Sequence, residues 1–155
     1  MNVLQETNSS APMEQVWGIL SDPHGWPEWW GDWDGIGPVA TPLRLDRQVT
    51  VLSSRLARNE QHGGDVTRTV PLQLTVILFE EGSRLYLRHE MLGKLGRVDY
   101  CWDLQPADGG TRIVYRMIGK LPGPLSIFGG AVGAVTKGGA GRSVQALAAL
   151  AETRP

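Results

Sequence analysis

From Arg84 to Ile118 hydrophobic residues recur at every second position, in blocks separated by short runs of turn-forming residues. Leu85, Leu87, His89 and Met91 share one face of the first block. Val98, Tyr100, Trp102 and Leu104 share one face of the second, opposite Arg97, Asp99, Cys101 and Asp103. Thr111, Ile113, Tyr115 and Met117 repeat the pattern in the third. A period of two is the signature of a half-buried strand. Glu80-Glu81-Gly82-Ser83, Gly93 to Gly96 and Pro106 to Gly110 are turns, so these strands form an antiparallel meander.

The same period begins near Leu43, with Val49 and Val51, and continues after a turn at Gln61–Asp65. Val66 to Phe79 reads as a strand, with a break or bulge expected at Pro71, which has no N–H to donate. Asn2 to Asn8 reads as an edge strand. A helix follows: Ser10 is the expected N-cap, Pro12 sits in the first turn, and Glu14 faces the positive end of the dipole. Met13, Val16, Trp17 and Leu20 have helical spacing, and Asp22-Pro23 ends the helix. Trp26, Trp29, Trp30 and Trp33 then crowd a short segment, with a helical turn expected over Pro27–Gly31. Four indoles are not expected to hide on one face of so short a piece. Trp29 and Trp30 are therefore placed at a cavity mouth, or on a patch that meets a membrane or a partner. The C-terminal part is helical again, with Val144, Leu147, Ala148 and Ala151 as its apolar stripe. Its first half, Ile127 to Gly141, is glycine-rich and expected to be a weak helix.

A length of 155 residues fits one domain, spanning 1–155, and is enough to enclose a small cavity. A meander curling around one long helix leaves a space between them, which is a pocket. The net charge of −1 gives no field for a nucleic-acid backbone. One cysteine and three scattered histidines exclude a disulfide framework and point away from any metal site. No cofactor is expected. Gly35-Ile36-Gly37-Pro38-Val39-Ala40 has the spacing of a dinucleotide fingerprint but lacks the strand before it and the helix after it. Gly133 and Gly138 have the spacing of a Walker loop, but Gly139 stands where lysine is required. The start of the chain carries no basic-then-apolar secretory signal, so a cytoplasmic protein is expected. Leu121 to Thr136 is uncharged but too short to span a bilayer, which needs roughly 20 apolar residues. Three lysines against twelve arginines point to a GC-rich bacterial genome.

Ser9 to Trp30 (SSAPMEQVWGILSDPHGWPEWW), the hairpin LQPADGGTRIVYRM and the helix end GRSVQALAALAE resemble, in this order, the START-like (SRPBCC) superfamily. More narrowly, they resemble its polyketide cyclase/dehydrase and lipid-transport family. The resemblance covers nearly the whole chain. It implies an α+β helix-grip fold: a seven-stranded curved antiparallel sheet around a long C-terminal helix, with two short helices after the first strand and an apolar cavity inside. The family often opens an early strand with Gly-x-Gly-Thr. Here Gly35-Ile36-Gly37-Pro38 stands nearest, so the second strand is expected to be short or displaced.

Within that fold, alternation aims His89 at the core or cavity, as a general base or hydrogen-bond partner, or as a structural histidine. Arg55 and Arg68 are candidates to bind a carboxylate or enolate oxygen, or are solvated arginines at a strand edge. The expected ligand lining is Trp29, Trp30, Leu87, Met91, Tyr100, Trp102, Tyr115, Met117, Phe128 and Val132. Three functions follow. The first is binding of a small hydrophobic molecule, such as a lipid, a polyketide-like aromatic or an isoprenoid. The second is a polyketide cyclase or dehydratase of the aromatase type, with His89 as acid-base group and Arg55 or Arg68 as oxyanion partner. The third is a non-catalytic accessory protein that docks on a membrane or assembly. The expected state is a monomer or homodimer.

Overall fold

The computed structural model describes residues 2–39, 41–54, 69–91, 93–121, 123 and 129–154, with the backbone alone over 129–137. In chain order the elements are β1 (Asn2–Ser9), α1 (Met13–Leu20), a 3-10 turn (Pro23–Gly25), α2 (Trp26–Trp29), β2 (Gly35–Val39), β3 (Gln48–Ser53), β4 (Val70–Glu80), β5 (Arg84–Met91), β6 (Gly96–Ala107), β7 (Gly110–Lys120) and α3 (Gly129–Thr153). The strands form one seven-stranded antiparallel sheet in the order β1-β7-β6-β5-β4-β3-β2. The expected α+β helix-grip architecture is present, and α3 packs along β1 and β7. No helix among the described residues is long and apolar enough to cross a membrane.

This order explains the two short helices. β1 and β2 are consecutive in sequence but lie at opposite edges of the sheet. The connection must cross six strand spacings, about 29 Å at ~4.8 Å each. The segment from Ser10 to Asp34 makes that crossing over the inner face, carrying α1, the turn and α2 with it. Trp17 of α1 meets Phe79 of β4 edge-on at 5.5 Å. The Trp26 indole N–H donates to the carbonyl of Leu20, 2.8 Å away, and so satisfies an acceptor left open at the end of α1.

Among the described residues, four contacts tether the C-terminal half of α3 and Arg154 just beyond it. The Ser9 hydroxyl donates to the Ala148 carbonyl (3.0 Å) and accepts from the Ala11 N–H (3.3 Å). The Ser10 N–H donates to Glu152 (2.9 Å), and the Gly31 N–H to the buried Ser143 hydroxyl (3.1 Å). Arg154 pairs with Glu28 at 2.8 Å. Ser10 is therefore not the N-cap of α1. Pro12 holds that position in an extended conformation with no side-chain cap, because the backbone at Ser9–Ser10 is still held by the sheet and α3.

Two sheet details differ from expectation. Pro71 lies inside β4, opposite Leu52, without breaking the β3–β4 register. The register shift falls between Val76 and Leu78 against β5, where Val76 exchanges backbone bonds with the Asp46–Arg47 loop. β2 is five residues long and shifts register between Ile36 and Val39, around Pro38. The turn expected at Gln61–Asp65 lies outside the described residues.

Candidate functional site

Strand register sets the floor of the site. Leu85, Trp102, Tyr115 and Gln5 form one row across β5, β6, β7 and β1. Leu87, Tyr100, Met117 and Val3 form the next. The crossing segment lowers its indoles onto these rows. Trp30 meets Trp102 edge-on at 5.3 Å, Tyr100 at 5.7 Å and Tyr115 at 6.1 Å. Trp29 stacks on Trp30 at 5.5 Å and meets Trp102 edge-on at 5.3 Å. Trp33 bridges Trp30 at 5.4 Å and Tyr100 at 5.5 Å, and Trp102 stacks on Tyr115 at 4.1 Å. Such contacts add about 0.5–1.5 kcal/mol per pair beyond area burial.

All four indoles of the segment are buried: Trp26 and Trp30 are 0% exposed, Trp29 4% and Trp33 3%. The expected mouth or surface patch at Trp29 and Trp30 is thus not formed. The spacing held the signal. Trp29 and Trp30 stand three and four residues after Trp26, and the Trp30 N–H bonds the Trp26 carbonyl at 2.7 Å as α2 closes. Residues three and four apart on a helical coil share one face. Trp33, absent from the expected lining, lies beyond α2, where Trp30 is already extended; a turn closed by its N–H on the Trp30 carbonyl (3.1 Å) brings it into the cluster.

The cluster carries polar atoms that it does not satisfy. The indole N–H groups of Trp29, Trp30, Trp33 and Trp102 and the hydroxyl of Tyr115 are buried without a hydrogen-bond partner. The Trp30 indole lies near the Tyr115 hydroxyl, though outside hydrogen-bond geometry. Burial pushes the Tyr115 and Tyr100 phenols well above the usual tyrosine range, and the Asp32 carboxylate adds to both shifts. Both stay protonated at any physiological pH. A buried, unpartnered hydroxyl costs free energy, about 1–3 kcal/mol for a typical group. Tyr115→Phe, which keeps the ring and removes that hydroxyl, should therefore raise the unfolding free energy of the ligand-free protein by about 1 kcal/mol in urea titrations.

The remaining candidates fall in different places. Leu87 is fully buried and Met117 is 5% exposed, both beside Tyr100 in the floor. His89 and Met91 instead line a surface depression of about 400 Å³, with Gln48, Gln73, Arg88, Glu90 and Lys94 among its walls. That depression shares no lining residue with the aromatic cluster. The His89 Nδ1 lies 3.2 Å from the Gln73 carbonyl. A carbonyl only accepts, so Nδ1 carries the proton and a neutral ring presents its lone pair on Nε2. Arg55, Arg68 and Phe128 lie outside the described residues, and Val132 is described in α3 by its backbone alone. Among the described residues no three His, Cys, Asp or Glu side chains gather to hold a metal ion.

Residues 2–152 match the family described as "Polyketide cyclase / dehydrase and lipid transport". The chain belongs to this family. A comparison with curated proteins finds no match. Among solved structures, TTHA0849 from Thermus thermophilus superposes with a TM-score of 0.71 at 15% identity, over 99% of this chain and 100% of that one. Protein CV1439 from Chromobacterium violaceum gives 0.67 at 19% identity, over 99% and 98%. The di-domain ARO/CYC StfQ from the steffimycin biosynthetic pathway gives 0.70 at 13% identity, over 97% of this chain and 50% of that chain. At these identities the likeness is one of fold.

On its outer sheet face, this member of the polyketide cyclase/dehydrase and lipid transport family carries a different chemistry. Arg88 binds Asp99 in a two-pronged pair at 2.7 and 2.9 Å. Asp103 gathers Tyr86 (2.8 Å), Arg116 (3.2 Å) and Arg84 (3.2 Å). These side chains roof over Cys101, which is 4% exposed. Burial, then the Asp99 carboxylate, pushes its thiol up to about 11. In the unfolded chain a thiol titrates at ~8.5. The folded state therefore holds the proton more tightly, and the resulting stability is present below ~8.5 and lost as pH rises toward 11. Urea midpoints at pH 8 and pH 10.5 should fall further for the wild type than for Cys101→Ala.

Proposed function

We propose that this protein binds a small hydrophobic molecule between the inner face of the sheet and the C-terminal helix, against the cluster built from Trp29, Trp30, Trp33, Tyr100, Trp102 and Tyr115. The observation that carries the reading is the set of buried, unpartnered N–H and O–H groups on those rings. Native interiors leave few polar atoms unpaired, so five on one cluster call for an explanation, and a bound molecule's acceptors supply one. An aromatic wall with a few polar atoms is also what a small-molecule site requires: area for affinity, donors for orientation. Family membership and the likeness to StfQ support the same reading.

The cyclase or dehydratase reading needs an acid-base group beside the bound molecule. His89, the candidate, lines the separate surface depression. Binding is therefore preferred over turnover. Native mass spectrometry of freshly purified protein, followed by organic extraction, tests the proposal. The expected result is an adduct that extraction removes and that, added back, quenches tryptophan fluorescence. A bare polypeptide mass, with fluorescence unmoved by a panel of hydrophobic aromatics and acyl chains, would overturn it.

A further inference from the structure

We infer that the depression beside His89 is a fork in the sheet that takes a short extended peptide segment, paired through its backbone to β4 on one side and β5 on the other. The β4–β5 ladder runs from Glu80↔Arg84 to Thr75↔Arg88, and among the described residues it goes no further. Both strands continue past that point on their other sides. β4 stays paired to β3 as far as Val70↔Ser53, and β5 stays paired to β6 as far as Met91↔Gly96. The two halves of the sheet therefore part beyond Thr75 and Arg88. The depression of about 400 Å³ lies in that parting, with Pro71, Leu72 and Gln73 on one side and Glu90, Met91 and Lys94 on the other.

Strand geometry says which backbone groups face the gap. In an antiparallel strand the N–H and C=O of one residue point to the same neighbour, and successive residues alternate. Val76 exchanges both of its backbone bonds with the Asp46–Arg47 loop that leads into β3. Leu74 and Leu72 therefore face β3 as well, while Thr75, Gln73 and Pro71 face β5. The Ser83 carbonyl accepts from the Leu104 N–H of β6, so His89 and Met91 face β6, while Arg88 and Glu90 face β4. After Thr75 and Arg88, Gln73 and Glu90 are the next pair due to exchange bonds, and that pair is not formed. The His89 Nδ1–H, 3.2 Å from the Gln73 carbonyl, caps one of these four groups and closes the inner end of the fork. Pro71 fits the same account. The N–H it lacks would point into the gap, away from β3, so the β3–β4 register passes through it unbroken.

Open strand edges pair with extended peptides, and backbone hydrogen bonds supply the affinity. A segment in the fork would bring N–H groups to the Pro71 and Glu90 carbonyls and carbonyls to the Gln73 and Glu90 N–H groups. The open edge of β4, from Val70 to Gln73, is ~10 Å long at ~3.3 Å per residue, room for about three residues. Buried Leu72 and half-buried Met91 line its inner side, and Gln73 and Glu90 are exposed. The matching segment therefore alternates, with one apolar side chain turned inward between two polar ones turned outward.

The probe is acetyl-Thr-Val-Thr-amide, titrated into isotope-labelled protein and followed by amide NMR shifts. Saturable shifts should centre on the Gln73 and Glu90 amides. The same peptide N-methylated at its valine should bind at least about 5-fold more weakly, since one backbone hydrogen bond is worth about 2- to 10-fold in affinity. Glu90→Pro removes a donor that faces the fork and leaves the β5–β6 ladder its bonds, so it should weaken the peptide by at least about 5-fold. Glu90→Ala keeps the backbone and should leave the affinity within about twofold. No saturable shift, or shifts centred away from Gln73 and Glu90, overturns the fork as a peptide site. An N-methylated peptide that binds as tightly as its parent overturns the backbone pairing, and that comparison stands even if Glu90→Pro does not fold. Equal losses in Glu90→Pro and Glu90→Ala overturn it too, because the side chain would then be the contact.

Discussion

Gly110→Ala should destabilise the protein by about 3 kcal/mol or more, the upper end of what overpacking a native interior costs. Gly110 opens β7 where the chain leaves β1 and turns over it toward α1. A β-carbon built there would overlap the Ser9 carbonyl oxygen and lie 2.8 Å from the Ser10 Cα and 2.9 Å from the Ser10 carbonyl carbon. All three atoms are backbone, so no rotamer change relieves the clash. The backbone itself is tied down. Ser9 pairs with Thr111 in the β1–β7 register, the Thr111 hydroxyl donates to the Ala11 carbonyl at 2.8 Å, and Ser9 also holds α3. In a chain of this length such a loss lowers the melting temperature by roughly 6–12 °C. The control is Gly82→Ala, where nothing lies within 4 Å of the added carbon but φ is +84°. It should cost only the left-handed strain, about 1–2 kcal/mol. Equal melting temperatures for the two variants would mean that the β1–α1 corner yields where the geometry says it cannot.

Trp30→Ala should cost about 3–5 kcal/mol, the range for deleting a fully buried aromatic side chain. Trp30 is 0% exposed and packs against Trp26, Trp29, Trp33, Tyr100, Trp102 and Tyr115. Its removal opens a void that these rigid rings cannot close by changing rotamer. Leu95→Ala is the comparison that separates burial from size. Leu95 is 71% exposed on the β5–β6 turn, and its truncation should change stability by no more than about 0.5 kcal/mol. Chemical denaturation of both variants decides the point, and near-equal losses would show that the aromatic cluster is loosely packed.

Much of this molecule was legible in its sequence because the relevant forces act locally. Alternation placed Leu85, Leu87, Tyr100, Trp102 and Tyr115 on one face. The turn residues Gly82, Gly93 and Gly109, all with positive φ, fixed where the hairpins reverse. The helical stripe Val144, Leu147, Ala148 and Ala151 is the face that α3 buries. Pro71 misled because its missing N–H matters only if the ladder needs a donor at that point, and the partner strand's register decides that. Ser10 misled because the chain there is still held between the sheet and α3, its N–H tied to Glu152, 142 residues away, so the helix begins only after Pro12.

The tryptophans mark the boundary most clearly. Spacing of three and four could say that Trp26, Trp29 and Trp30 share a face, but not that a turn would add Trp33 to it, nor what that face would meet. That depended on the strand order, which sends β1 and β2 to opposite edges and forces the connection across the sheet's inner side. Periodicity along the chain is set by backbone geometry, so the sequence alone determined the strands, the turns and the terminal helix. The joining of five unpartnered donors from two distant segments depended on long-range pairing, which no local pattern encodes, and only the tertiary structure decided it.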